Sequence, residues 1–345
     1  MSEQNVHEMW SDDDLDLALA ALRSDVDTDV ARLAGIRGEL FGSTDTPAPA
    51  PSRTWIRWAA VAAAVAVLVG AVFVVLARRG DDKPVPPATP PAVSPIERIK
   101  AVDEPQRAGQ FRYVGTHGWL LGQSDTFAYV AETTTTTWVP AQERQDWMQR
   151  RTVSGQRKFL FGTEADARKQ DALDMWPAGT WHARCGDFLL EQPLRCTGKA
   201  YWGEPDEEFM DSLPRDPQQL YDRLSAEAKG GQSHEHRMFT TAADLLRNGT
   251  APADLRLALY RALAKLPHLE VAEGVANLDG RTGVSLAITG SATHEVIIVD
   301  PATGQFIGER VVTTIAEAGV AADEVIVDTA VRYGVVDQQG DEPAH

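Results

Sequence analysis

The longest apolar run in the chain is WAAVAAAVAVLVGAVFVVLA, residues 58–77, which contains no ionisable side chain. A helix of this length spans about 30 Å, the thickness of a bilayer's hydrocarbon core. Trp55 and Trp58 stand at one end, and Arg57, Arg78 and Arg79 close the two ends, as interfacial aromatics and flanking cations do around a membrane span. A core helix of a soluble domain would keep a polar stripe. A signal peptide would start nearer the N-terminus and carry a shorter apolar region. The pattern predicts one transmembrane helix over 58–77.

On either side the hydrophobic pattern changes. Residues 1–52 carry two short amphipathic stretches, Leu15, Leu17, Leu19, Leu22 and then Val30, Leu33, Ile36, Leu40, Phe41, too little apolar surface for an independent core. Residues 96–345 alternate first with a strand period. FRYVGTHGW, TFAYVAETTTTTWV, RKFLF, GTWHARC and RCTGKAYW are rich in β-branched and aromatic residues, and the run Thr133–Thr137 reads as strand. Helical signals follow. Asp216-Pro217 opens DPQQLYDRLSAEAKGG, and a second helix lies around MFTTAADLLRNG. In a third, between Pro252 and Pro267, Leu255, Ala258, Leu259, Ala262, Leu263 and Leu266 share one face, with Arg256 and Lys265 expected towards the other side. LEVAEGVANLDG, TGVSLAIT, the hairpin HEVIIVDPATGQFIGERVVTT and DEVIVDTAVRYGVV then return to strand. Strands, a helical block and more antiparallel strands predict an α+β fold. Its curved, half-barrel-like sheet is packed by helices on one side.

Charge divides the chain further. Residues 1–52 hold 11 acidic against 3 basic side chains, and residues from 84 onward hold 37 against 25, within a net charge of −17. That balance argues against nucleic acid as a partner. Residues 80–95 contain six prolines, the composition of a stiff extended stalk. Cationic residues flank the span on both sides, so their count does not orient it. The stalk and the cysteines favour a cytoplasmic N-terminus and an exterior C-terminal domain. The two cysteines, Cys185 and Cys196, bracket the turn-like GDFLLEQPLR. A disulfide between them implies an oxidising compartment; the alternative is two buried free thiols.

LPRDPQQLYDRL, DLLRNGTAPADLRLALYRALAKLPHLEV, LDGRTGVSLAI and VIIVDPATGQFIGER resemble an uncharacterised family of single-pass membrane proteins of actinobacteria. The resemblance covers most of residues 110–315 and implies a short N-terminal region, one span and an exterior domain, with no activity attached. The order of elements also looks like the half-barrel of LolA-like lipoprotein carriers and of RseB-type periplasmic regulators. Residues 316–345 have no counterpart in either resemblance.

Motifs of catalysis are absent: no Gly-rich phosphate loop, GxSxG, HExxH or CxxC occurs. No enzyme activity, cofactor or metal is expected. His234 and His236 in GGQSHEHRM form the best metal-like pair, but the segment reads as a solvated loop. Asp206, Glu207, Glu208 and Asp211 read as a charged surface. Asn248-Gly249-Thr250 matches an N-glycosylation acceptor. The favoured expectation is a membrane-anchored envelope sensing or binding module. It would hold an apolar ligand or an envelope protein in the concavity of its sheet, with Phe111, Tyr113, Trp119 and Trp138 as candidate lining. Two other functions are kept open. One is an anti-sigma-like signalling protein whose residues 1–52 bind a cytoplasmic partner, although that region lacks cysteines for a zinc site. The other is an envelope enzyme.

Overall fold

The computed structural model describes residues 94–173, 175–188 and 193–344. The acidic region 1–52, the candidate span 58–77 and the stalk up to residue 93 lie outside the described residues. Among the described residues, no helix is long and apolar enough to cross a membrane.

Nine antiparallel strands form one curved, unclosed sheet. A first meander runs through β1 (Phe111–Ser124), β2 (Phe127–Pro140), β3 (Asp146–Phe161) and β4 (Gly179–Arg184), with the short α1 (Glu164–Lys169) before β4. Four helices follow: α2 (Glu207–Ser212), α3 (Pro217–Glu227), α4 (His234–Arg247) and α5 (Ala253–Leu263). They lead to a second meander of β5 (Glu270–Ala276), β6 (Thr282–Thr289), β7 (Thr293–Val299), β8 (Phe306–Thr313) and β9 (Val325–Val336). The strand order is β4-β3-β2-β1-β9-β8-β7-β6-β5. The helical block therefore carries the chain from one edge of the sheet to the other, and the second meander returns inward until β9 pairs with β1, from Phe111↔Val336 to Leu120↔Val327. The α+β class with a curved antiparallel sheet is thus present.

Local chemistry explains the helix starts. Asp206, Asp216 and Ser233 each accept a hydrogen bond from a backbone N–H of the first turn of α2, α3 and α4, and Pro217 opens α3. The leucine face of α5 packs as its spacing predicts. Leu255, Leu259, Ala262 and Leu263 are fully buried against Val284 and Leu286 of β6, Ile297 and Val299 of β7, and Phe306 of β8. Pro301 and Gly304 turn the β7–β8 hairpin, Gly304 at φ +65°.

Several local expectations are corrected. Arg256 does not face outward. It is 2% exposed and donates to the carbonyls of Gly304, Ala251, Val102 and Thr303 and to Asp103, so it pins the segment before β1 and the β7–β8 turn to α5. RCTGKAYW is not a strand; it turns through residues 195–198 and keeps only the isolated bridge Tyr201↔Glu204. The segment holding His234 and His236 is the first turn of α4, because Ser233 caps it. Asp206 is 2% exposed, since its carboxylate caps α2 and also accepts from the Cys196 N–H. Residues 316–345, without a counterpart in the resemblances, supply the central strand β9 and a tail that crosses the sheet.

Candidate functional site

Side chains alternate across the sheet, so each strand supplies two faces. On β1 and β2 the helix-bearing face takes Val114, Thr116, Thr135 and Thr137, paired as Val114↔Thr137 and Thr116↔Thr135. β3 adds Gln149 opposite Thr137 and Arg151 opposite Thr135. These residues floor a cavity of about 310 Å³, walled by Trp147, Gly186, Asp187, Phe188, Arg195 and Glu204, and closed at one end by Arg247 and Asn248 of the α4 terminus. Three shallower hollows of about 260, 290 and 300 Å³ lie elsewhere on the domain.

A disulfide builds the outer wall. Cys185 and Cys196 are joined, with Cα atoms 6.3 Å apart. The Cys185 N–H donates to the Gln145 carbonyl at 3.1 Å, and Oδ1 of Asp187 accepts from the backbone N–H groups of Leu194 and Arg195 at 3.4 and 3.3 Å. Gly186 allows the close approach: a Cβ there would lie 2.5 Å from the Trp147 ring, at φ +79°. The loop thereby carries Asp187, Phe188 and Arg195 to the cavity.

Most of the cavity's charge is matched. Arg195 donates to Glu204 at 3.0 Å and to the Asn248 side-chain oxygen, and stacks 5.1 Å over Trp147. Arg247 binds Glu309 at 2.6 Å and Asp244, and these carboxylates, outweighing the effect of burial, hold its guanidinium more firmly protonated than usual. Arg151 differs. Its Nε donates to Thr135 at 3.2 Å, and its guanidinium lies 5.7 and 5.6 Å from the rings of Trp176 and Trp181. No carboxylate pairs with it among the described residues, and burial pushes its pKa down.

The aromatic residues expected to line an apolar cleft stand elsewhere. Phe111, Tyr113, Trp119 and Trp138 all occupy the opposite face of the sheet. Tyr113 and Trp138, 5% and 1% exposed, pack edge to face at 5.9 Å with Met148 and Val336, and Phe111 packs beside them. The C-terminal tail covers this cluster, the Trp138 Nε1–H donating to the Asp341 carbonyl at 2.8 Å. Trp119 lies half-buried further along, between Glu132 and Asp328. Tyr113 and Trp138 are packed core, not the wall of a cleft. Sequence reading missed Thr135, Thr137, Gln149, Arg151 and Arg195, although the quoted threonine run carried the signal, since alternate threonines on a strand put hydroxyls on one face.

The remaining sequence candidates have structural partners. His236 is buried, 3.2 Å from Glu295, and His234 bonds Ser225 at 2.9 Å. No group of three or more metal-ligating side chains occurs among the described residues. The Asn248 amide donates to the carbonyls of Gly203 and Asp244, so the acceptor nitrogen of the sequon is held inside the fold. On the opposite face His117 sits between Asp279 at 2.7 Å and Glu132 at 3.1 Å.

No family model, no curated protein and no solved structure matches the chain. The actinobacterial family and the half-barrel carriers and regulators therefore remain sequence-based expectations.

Proposed function

We propose that the chain is a membrane-anchored binding module whose exterior domain holds a small polar ligand in the cavity over β1–β3. The observation that carries this reading is the floor of Thr116, Thr135, Thr137, Gln149 and Arg151 beside the aromatic wall of Trp147 and Phe188. Ligand pockets of about 300 Å³ and more combine aromatic surface with a few oriented polar groups. Here the polar groups predominate, which favours a hydrophilic ligand over the lipid-like one expected from the sequence. The Cys185–Cys196 disulfide supports an oxidising compartment, and the apolar segment 58–77 supports the anchor.

Tryptophan fluorescence of the full chain in nanodiscs tests this, because Trp147, Trp176 and Trp181 lie at or beside the cavity. A panel of free amino acids, short peptides, monosaccharides and phosphate esters is titrated beside an acyl-chain probe. Saturable quenching by a polar member, weakened in Gln149→Leu, is expected. Saturation by the acyl chain alone, unaffected by Gln149→Leu, would return the ligand to an apolar class.

A further inference from the structure

We infer that the cavity takes a short zwitterionic ligand of the di- or tripeptide kind, its carboxylate against Arg151 and its ammonium against Asp187; this rests on the cavity being the binding site. Two lining charges are incompletely matched by the protein. Arg195 and Arg247 have carboxylate partners, and Glu204 is the partner of Arg195. Arg151 has none among the described residues, and of its guanidinium nitrogens only Nε has a protein acceptor, Thr135. Trp176 and Trp181 cover the guanidinium, and its two Nη groups retain the fork geometry that receives a carboxylate. Asp187 is the complement. Its Oδ1 accepts two backbone N–H groups, whereas its Oδ2 is buried and accepts no hydrogen bond from the protein.

A bare anion would satisfy Arg151 and leave Asp187 without a donor. A neutral ligand would leave both groups unmatched. A molecule with a carboxylate at one end and an ammonium at the other answers both. The spacing sets its size. Asp187 follows Gly186, which lies against Trp147, and Trp147 stands four residues before Arg151 on the same strand face, roughly 13 Å along β3. The side chains of Arg151 and Asp187 take up part of that distance, and an extended peptide of two or three residues spans about 7–10 Å.

Isothermal titration of the full chain in nanodiscs with trialanine, N-acetyl-trialanine, trialanine amide and the doubly blocked peptide tests the proposal. Trialanine should bind, and blocking either end should weaken binding about tenfold or more, the loss of one charge-assisted contact. Arg151→Gln should abolish the discrimination between trialanine and its amide while leaving that between free and acetylated amine. Asp187→Asn should do the reverse. Circular dichroism confirms that both variants are folded. Equal affinity for all four peptides overturns the proposal, as does binding of a sugar or phosphate ester, weakened by Gln149→Leu, with no binding of trialanine. The second result would leave the polar-cavity reading intact. No binding by any polar probe would remove that reading as well.

Discussion

The two meanders share one sheet yet treat the same face in opposite ways. On β6 and β7 the helix-bearing face presents Val284, Leu286, Ile288, Ile297 and Val299, and α5 seals it with buried leucines. On β2 and β3 the same face presents Thr135, Thr137, Gln149 and Arg151, and among the described residues no helix closes over them; the disulfide loop and the end of α4 form the walls instead. The boundary is itself charged, with Arg247 of α4 bound to Glu309 of β8. Apolar area drives the helices onto one half. On the other half, covering the threonines and Arg151 would require a partner for every polar group. The difference separates a half sealed by an apolar core from a half that keeps an open, polar cavity.

The sharpest way to break this comparison is to exchange the demands on the two halves. Leu259→Asp should prevent folding, because a lone carboxylate would enter a dry core, and Leu259→Ala should cost about 2–5 kcal/mol in denaturant unfolding. Arg151→Gln should cost about 1–2 kcal/mol of stability, less than the leucine truncation, while weakening ligand binding, since it removes one charge-assisted hydrogen bond and two cation–π contacts but no ion pair. A folded Leu259→Asp protein would show that the helical half is not the stabilising one.

Arg256→Ala sharpens the point that the stable half is not purely apolar. The guanidinium satisfies four carbonyls and Asp103. Removing it should cost roughly 3 kcal/mol, because carbonyl groups lose their donors inside the fold. Near-wild-type melting of Arg256→Ala would mean that water replaces the guanidinium, and that the junction between α5 and the β7–β8 turn is wetter than its burial indicates.

Cys185→Ser tests the binding half. Opening a loop of this length should cost about 3 kcal/mol in the chain-entropy model. Ligand binding should fall by more than the loss of stability accounts for, because Asp187, Phe188 and Arg195 lose their position. Titration well below the melting temperature separates the two effects. Unchanged affinity in the folded serine variant would show that the loop is a strut and no part of the site.

The contrast also explains what the sequence discloses. The α5 face was legible because six residues repeat at helical spacing between two prolines, and the β7–β8 hairpin because proline and glycine mark the turn. Arg256 was misplaced because spacing locates a side chain around a helix but not the carbonyls that reach over it from residues 102, 303 and 304. The α4 start was misplaced because Gly230 and Gly231 suggested a loop, while the serine after them is a cap. Most of β3 went unread because polar and charged residues dominate both faces of DWMQRRTVSGQR, and only Trp147 and Met148 near its start are buried. The cavity was invisible for the same reason: no local pattern shows that residues from β1, β2, β3 and a disulfide loop meet. Aromatic content pointed to Phe111, Tyr113, Trp119 and Trp138, but a ligand wall and a filled core use the same residues, and the tail from residue 337 onward makes Tyr113 and Trp138 core.

The smallest expected effect lies on the face opposite the cavity, at His117. Partial burial disfavours its charged form, but hydrogen bonds to Asp279 and Glu132 outweigh this and raise its pKa above the usual 6.5. Glu132 is held below 4.5, first by Ser154 and then by His117. The signs follow from linkage. A histidine with a raised folded pKa contributes fully below about pH 6.5, and that contribution is lost as pH rises through the folded value. A carboxylate with a depressed pKa contributes above about 4.5 and loses its contribution on acidification. The bridge between β1, β2 and the β5–β6 turn is therefore strongest between about pH 4.5 and 6.5. Chemical denaturation of wild type and His117→Gln should show the largest stability difference in that window and a smaller one at pH 8. Ligand affinity at the cavity should follow the same pH course in both proteins, since His117 does not line it. A stability difference that grows towards pH 8 would mean that the neutral imidazole is the form the fold prefers, and that the two carboxylates do not outweigh burial.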